Sequence, residues 1–484
     1  FLSRPRRFGK SLLVSTLEHY FLGHKELFKG LKIDQLEKDW NVYPIFHVDF
    51  NGSNFTQAGV LEERLEDYVS DWETRYGLTS EADRLDVGGR FIKVLRTAHE
   101  QTGRRAVVLI DEYDKPILDV LDVDTGLEDR HRNVLKAFYS VFKGADAHLQ
   151  FVLLTGVTKF SQVSVFSGFN QPKDISMDRR YEALCGITQE EIDRYFPEPI
   201  AEMAHDYQCT PEEMRQRLKL QYDGYHFSER LTDVYNPFSL LNALDSLRIY
   251  DYWFRSGTPT YLIEMLNKFN VPPSKIGGTE AMASDFDAPT ERMTSIVPLL
   301  YQSGYITIKD YDANFDAYTL DIPNKEVRIG LMRSLIPYYI TPDSLSTNSM
   351  VIHMARAMAR DDMDGMLQLL QTFLSTIPYC ERTDTEGHYQ QVLYIIFSLL
   401  GYYADVEVRT PKGRVDVVLR TPTTLYLIEA KLNRTAKAAM QQINLKNYPE
   451  RFALCGLPVV KVGINFDLER KTLGDWAIET QQIQ

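Results

Sequence analysis

The sequence predicts an α/β protein in three parts: an N-terminal domain built on a parallel sheet, a mostly helical middle, and a smaller C-terminal α/β domain. Three observations predict it. Up to about residue 190, strand-like apolar runs alternate with helical patterns, the mark of a largely parallel sheet. From about Thr188 to Leu374 the pattern is mostly helical with one β-rich interruption, and after a helix near residues 386–400 the signal returns to β. At 484 residues the chain is also too long for one ordinary core. The expected division is 1–190, 191–375 and 376–484.

In the first part, residues 43–50 (YPIFHVDF), 106–111 (AVVLID) and 150–156 (QFVLLTG) are the clearest strands. Helical stretches lie near 10–22, 60–76 and 130–143. Phe1, Leu2 and Ser3 read as the end of a strand already under way, so a preceding segment is expected. In the middle, residues 305–308 and 317–320 alternate around 310–315 as a hairpin does, which suits a winged-helix lid. In the last part, residues 406–409, 414–420 and 425–431 read as strands, followed by a helix at 435–447 and a strand at 458–464. No internal repeat or low-complexity linker is visible.

Hydrophobic content of 44% and charged content of 25% are those of a globular protein. No apolar run reaches the 18 or so residues that span a bilayer, so no membrane partner is expected. Cys185, Cys209, Cys380 and Cys455 form no CxxC pair, which argues against a zinc cluster or disulfide framework and fits a reducing cytoplasm. The net charge of -13 is uneven: residues 405–484 carry 12 Lys+Arg against 9 Asp+Glu. If any part meets a phosphate backbone, the C-terminal part is the better candidate.

Arg4, Pro5, Arg6, Arg7, Phe8, Gly9, Lys10 and Ser11 lie between a strand end and a helix start. A phosphate-binding loop needs that placement, because N–H groups at a helix N-terminus cradle phosphates while a lysine and a hydroxyl serve phosphate and Mg2+. Gly9, Lys10 and Ser11 fill the second half of G-x-x-x-x-G-K-[ST], but Arg4 stands where the first glycine belongs. A basic helix N-terminus in a loop has the same look. The strand 107–110 then ends in Asp111 and Glu112, and carboxylates seldom continue a buried strand without a partner. In P-loop ATPases such an Asp holds Mg2+ and such a Glu positions or deprotonates the attacking water. A third strand ends at Thr155, whose hydroxyl suits a γ-phosphate contact or an ordinary Thr/Gly turn; the sequence keeps both readings open. Ligands bind at the carboxyl ends of strands in open α/β sheets, so the three strand ends agree.

RPRRFGKS (4–11), LIDEYDKPI (109–117), LTGVTKFSQVSVFSGFNQ (154–171), YDGYHF (222–227), VYNPFSLLNAL (234–244) and YWFRSGTPTYLI (252–263) together resemble the bacterial AAA-ATPase-like family. Its members commonly carry a C-terminal PD-(D/E)XK nuclease domain. The resemblance runs over nearly the whole chain and includes the arginine-rich loop. It implies ATP and Mg2+ as cofactors, Lys10 and Ser11 as phosphate and Mg2+ ligands, and Asp111 and Glu112 as the Mg2+ and water-activating carboxylates. Arg179 and Arg180 would reach a γ-phosphate or stay solvated.

The C-terminal chemistry rests on Asp416 and on Glu429, Ala430 and Lys431. A hairpin centred between Pro422 and Thr423 places Asp416 opposite Glu429, with Cβ atoms about 4.5–5.5 Å apart. Alternation sends Glu429 and Lys431 to the same face. Two acids and a lysine therefore converge. Oxygen ligands suit Mg2+, and a lysine beside it can orient water or stabilise developing charge. An ordinary hairpin with a cross-strand ion pair is the plainer reading. The resemblance identifies GRVD (413–416) and LIEAK (427–431) as the two central nuclease motifs, and suggests Glu386 or Glu407 as a further acid and Gln441 or Gln442 as the glutamine of such sites.

The expected function is an ATPase domain regulating or powering cleavage of nucleic acid, DNA rather than RNA, in a chain able to form a homo-oligomer. Its rivals are a nucleotide-gated switch or sensor with weak or absent cutting, and a scaffold with degenerate sites. The loop's Arg4 favours the rivals; the intact Asp-Glu and Asp…Glu-x-Lys sets favour the enzyme.

Overall fold

The computed structural model describes residues 1–79, 85–121, 123–159, 172–256, 260–287, 294–339, 344–375, 385–401, 405–409, 414–445 and 457–481. It divides into two compact units that interleave along the chain. One comprises residues 1–219, 223–248 and 280–320; the other comprises 220–222, 249–279 and 321–484.

In the first unit, β1 (Leu2–Ser3), β2 (Ile45–Asp49), β3 (Ala106–Asp111) and β4 (Leu149–Gly156) form a sheet in the order β1-β4-β3-β2 with every pair parallel. All six residues of β3 are buried, which is why it reads as an unbroken aliphatic run: both of its faces are covered. Ala106, Val108 and Ile110 join a core with Trp72, Phe91 and Phe138 from the helices Val60–Arg75, Val87–Thr102 and Thr125–Gly144. Val107 and Leu109 pack on the other side with Val14 of the helix Lys10–Phe21. The expected parallel sheet is present.

The helix Val87–Thr102 was not expected from the sequence, because two glycines in its first turn look like a loop. Asp86 outweighs them by capping: its side chain accepts the Gly89 N–H at 2.8 Å. The expected hairpin is also present, as β6 (Thr307–Asp312) and β7 (Ala317–Asp321), with β5 (Thr279–Ala281) at the other side of β7. β6 runs further than its apolar residues do, since Tyr311 and Tyr318 hold the two strands together with ring centroids 4.6 Å apart.

In the second unit, β8 (Asp405–Arg409), β9 (Arg414–Arg420), β10 (Leu425–Leu432), β11 (Val459–Asp467) and β12 (Thr472–Gln481) form a sheet in the order β12-β11-β10-β9-β8. β10 and β11 are parallel and the other neighbours antiparallel. The parallel pair needs a crossover, and the helix Ala436–Leu445 serves: its Met440 and Ile443 pack on Leu425, Leu427 and Val459. The helix Thr385–Leu400 lies against β8 and β9. β12 is a polar edge strand without an apolar pattern, so periodicity missed it. It is tied to the helix Met363–Ser375 by Gln371, whose amide donates to Leu473 O at 2.7 Å. No described helix is long and apolar enough to cross a membrane.

Candidate functional site

At the carboxyl ends of β1 and β3, a cavity of about 420 Å³ opens over the start of the helix Lys10–Phe21. Gly9 caps that helix with φ 73° and so offers its first N–H groups no side-chain cap. Anion-accepting groups therefore face open space. Gly9, Lys10 and Ser11 line the cavity, as do Glu112 and Asn51. Lys10 is buried, and its ammonium donates to Arg4 O at 3.0 Å and Pro5 O at 3.2 Å. Burial pushes its pKa down, against the pull of Asp114, Glu112 and Asp111.

Arg4 is fully buried and is not part of the cavity wall. Its guanidinium donates to the carbonyls of Ser176 at 2.7 Å, Tyr181 at 2.8 Å, Ser3 at 3.0 Å and Leu184 at 3.1 Å, and lies 4.1 Å from the Phe227 ring centroid. Burial pulls its pKa down to about 10, so it stays charged at neutral pH. Phe8 is buried edge-on against Tyr225 at 4.9 Å and Phe227 at 5.3 Å. The loop is thus held by side chains where a glycine-rich loop relies on backbone freedom. The YDGYHF segment, given no role from the sequence, supplies two of its supports.

Asp111 is buried, and one of its oxygens accepts from the Thr155 hydroxyl at 2.6 Å and from the Glu112 N–H at 3.1 Å. Thr155 spends its hydroxyl on Asp111 and does not line the cavity. Glu112 has φ 50°, and burial pushes its pKa up, with Lys10 opposing. Sequence reasoning missed Asp114. It lines the cavity, and one oxygen accepts from Thr158 N at 2.6 Å, Val157 N at 2.9 Å and the Thr158 hydroxyl at 2.9 Å. The signal was a third carboxylate close behind Asp111 and Glu112. Its approach requires Gly156, where an added Cβ would stand 2.6 Å from Asp114 and from the Tyr113 ring. Arg179 and Arg180 are exposed; Arg180 pairs with Asp178, donating at 2.9 Å, and neither lines the cavity. Residues 160–171 of the longest motif lie outside the described residues.

In the second unit the β9–β10 register pairs Asp416 with Glu429, and Arg414 with Lys431, as the turn position requires. Asp416 and Glu429 are both buried. Lys431 donates to Gln442 Oε1 at 2.6 Å and stands 3.9 Å from Glu429 Oε1; Arg414 stands 3.5 Å from Asp416. Of the two candidate glutamines, Gln442 is therefore the one brought to the lysine, while Gln441 is exposed. Glu407 registers with Val418, is exposed and pairs with Arg409 at 2.8 Å. Glu386 is exposed at the start of its helix. Neither joins the pair: among the described residues no group of three His, Cys, Asp or Glu is poised to hold a metal. Two buried carboxylates on facing positions still fit Mg2+, which takes one or two and keeps its waters. Gly413 lies outside the described residues.

Comparison with known proteins matches both ends of the chain. Residues 1–166 match the AAA-ATPase-like family, described as "Predicted AAA-ATPase", and residues 384–476 match the PD-(D/E)XK nuclease superfamily. A relative 33% identical over 496 residues, spanning 99% of this chain and 92% of its own length, is the "Uncharacterized protein in vnfD 5'region" of Azotobacter chroococcum mcd 1. No solved structure matches. With nearly its full length aligned to that relative and both terminal domains matched, the chain belongs to the family of predicted AAA-ATPases that carry a C-terminal PD-(D/E)XK nuclease superfamily domain.

Proposed function

We propose that the chain binds and hydrolyses ATP and uses its C-terminal domain as a Mg2+-dependent nuclease on nucleic-acid phosphodiesters, DNA before RNA. In this reading residues 1–190 are the ATPase, 191–375 the lid and 376–484 the nuclease, in a cytoplasmic protein able to self-associate. The observation that carries the nuclease reading is the β9–β10 register, which sets Asp416 against Glu429 with Lys431 beside them. Asp416 and Glu429 would hold Mg2+, which when bound polarises phosphate and lowers the pKa of water. Lys431, fixed by Gln442, stabilises the negative charge that grows on the phosphate during attack.

At the nucleotide cavity, Lys10 and the N–H groups that follow Gly9 bind phosphate, with Ser11 and Asp111 as the Mg2+ side. Thr155 orients Asp111, and Glu112 takes the proton of the attacking water. A raised pKa suits a base that must accept a proton near neutrality. One observation favours a second reading, the nucleotide-gated switch: Lys10 is engaged by two carbonyls of its own loop. Incubation of the purified protein with labelled DNA and RNA, with and without Mg2+ and ATP, separates the two. Metal-dependent cleavage supports the enzyme; nucleotide binding without cleavage on any substrate supports the switch.

A further inference from the structure

Arg4, Arg6 and Arg7 share one loop but not one environment. Arg4 is the buried clamp described above. Arg6 and Arg7 line the cavity, together with Lys10 and Lys115. The carboxylates of the same wall are Glu112, Asp114 and Asp119. Lys115 and Asp119 neutralise each other at 2.7 Å. Three cations, Arg6, Arg7 and Lys10, then face two carboxylates, Glu112 and Asp114. The cavity's field favours an anion, and more so the more charge that anion carries.

Arg7 adds a second feature. Its backbone sits at φ 69°, a region where a long L side chain is costly and glycine is cheap. Glu112, on the same wall, sits at φ 50°. Two strained non-glycine residues thus border one cavity, a pattern that collects at functional sites. The Arg7 guanidinium is laid over the Phe238 ring, 4.4 Å from its centroid, which fixes a long exposed side chain at little cost in entropy. A solvated arginine needs neither the strained backbone nor the aromatic rest.

We propose that Arg7 contacts the terminal phosphate of the bound nucleotide, so that the cavity reads polyphosphate length and selects nucleoside triphosphate over diphosphate. The inference rests on the nucleotide reading of the cavity and names what the departure from a glycine-rich loop does there. Lys10 and the helix N-terminus hold the part of the chain common to both nucleotides. Arg7 supplies the planar donor pair for the phosphate that only the triphosphate has.

Calorimetric titration of ATP and ADP into the full chain and its Arg7→Gly variant tests this. Glycine suits the backbone angle, so this variant should melt no lower than the parent. ATP affinity should fall by about tenfold or more and ADP affinity by less than about threefold. Arg7→Lys, which keeps the charge but loses the planar fork, should recover only part of the ATP affinity. Equal losses for ATP and ADP, or no loss for either, overturn the proposal. So does a lowered melting temperature without a change in selectivity, which would make Arg7 a structural residue. Lys10→Ala in parallel reports on the underlying reading: it should lose ATP and ADP alike. If the parent binds neither nucleotide, the nucleotide reading itself falls.

Discussion

Arg4 is read differently once its partners are known. In the sequence it stands as a departure from the general P-loop, because a motif compares it with the glycine it replaces. Its four carbonyl acceptors come from Ser3, Ser176, Tyr181 and Leu184, and main-chain acceptors leave no trace in a motif. Arg4→Gly, which restores the general P-loop pattern, should therefore destabilise the protein by about 3 kcal/mol or more, since buried carbonyls lose charged donors. A chemical denaturation series checks it, and unchanged stability would mean the clamp is incidental. Lys10→Ala should weaken ATP binding by about 1.5–3 kcal/mol, the worth of a charge-assisted contact, and calorimetry with unchanged affinity would remove phosphate from this loop. Glu112→Gln should keep ATP and lose its hydrolysis, because the amide preserves shape and removes the base. The sign of the pH effect follows from burial. Glu112 is a base only when ionised, and its pKa is raised, so the rate should fall with falling pH at a point above the ordinary carboxylate range. A pH–rate profile with its acid limb at the ordinary range would move the role elsewhere.

At the scale of elements, what was legible is what repeats locally. The strand 106–111 announces itself by its aliphatic run, 414–420 and 425–432 by apolar residues on both sides of a turn, and the TPTT turn points to the Asp416–Glu429 register. What was not legible depends on partners far along the chain. β12 is polar because it is an edge, and only its pairing with β11 makes it a strand. The turn itself has such a distant partner. Asp361 accepts from the hydroxyls of Thr424 and Tyr426 at 2.9 Å and of Thr423 at 3.1 Å. These bonds hold its pKa below the ordinary value against the effect of burial. Asp361→Ala should loosen the β9–β10 turn and cost about 1–2 kcal/mol, with faster amide exchange at Leu425 and Tyr426 and a lowered cleavage rate. Unchanged exchange there would show that the turn holds its own register.

For the whole molecule the question is whether two chemistries are coupled or merely joined. One proposed charged set lies within each matched range, 1–166 and 384–476, and single substitutions in each can be crossed. Asp416→Ala and Glu429→Ala should each weaken Mg2+ binding and abolish cleavage, because both supply metal oxygens. Lys431→Ala should bind Mg2+ nearly as the parent does and still lose most of the rate, since its ammonium acts on water or on developing charge and not on the metal. All three should fold, because trimming polar site residues removes no core packing. Comparing Lys10→Ala with Glu429→Ala then distinguishes the two architectures. If ATP regulates cutting, Lys10→Ala alone leaves cleavage at the ATP-free level whatever nucleotide is added, while Glu429→Ala alone keeps ATP hydrolysis and cuts nothing. If the activities are merely joined, Lys10→Ala cuts as the parent does with or without ATP. Cleavage at the parent's rate by both Asp416→Ala and Lys431→Ala would make the hairpin structural. It would leave the nucleotide-gated switch as the better account, because the cavity at Lys10 is lined by a different set of residues.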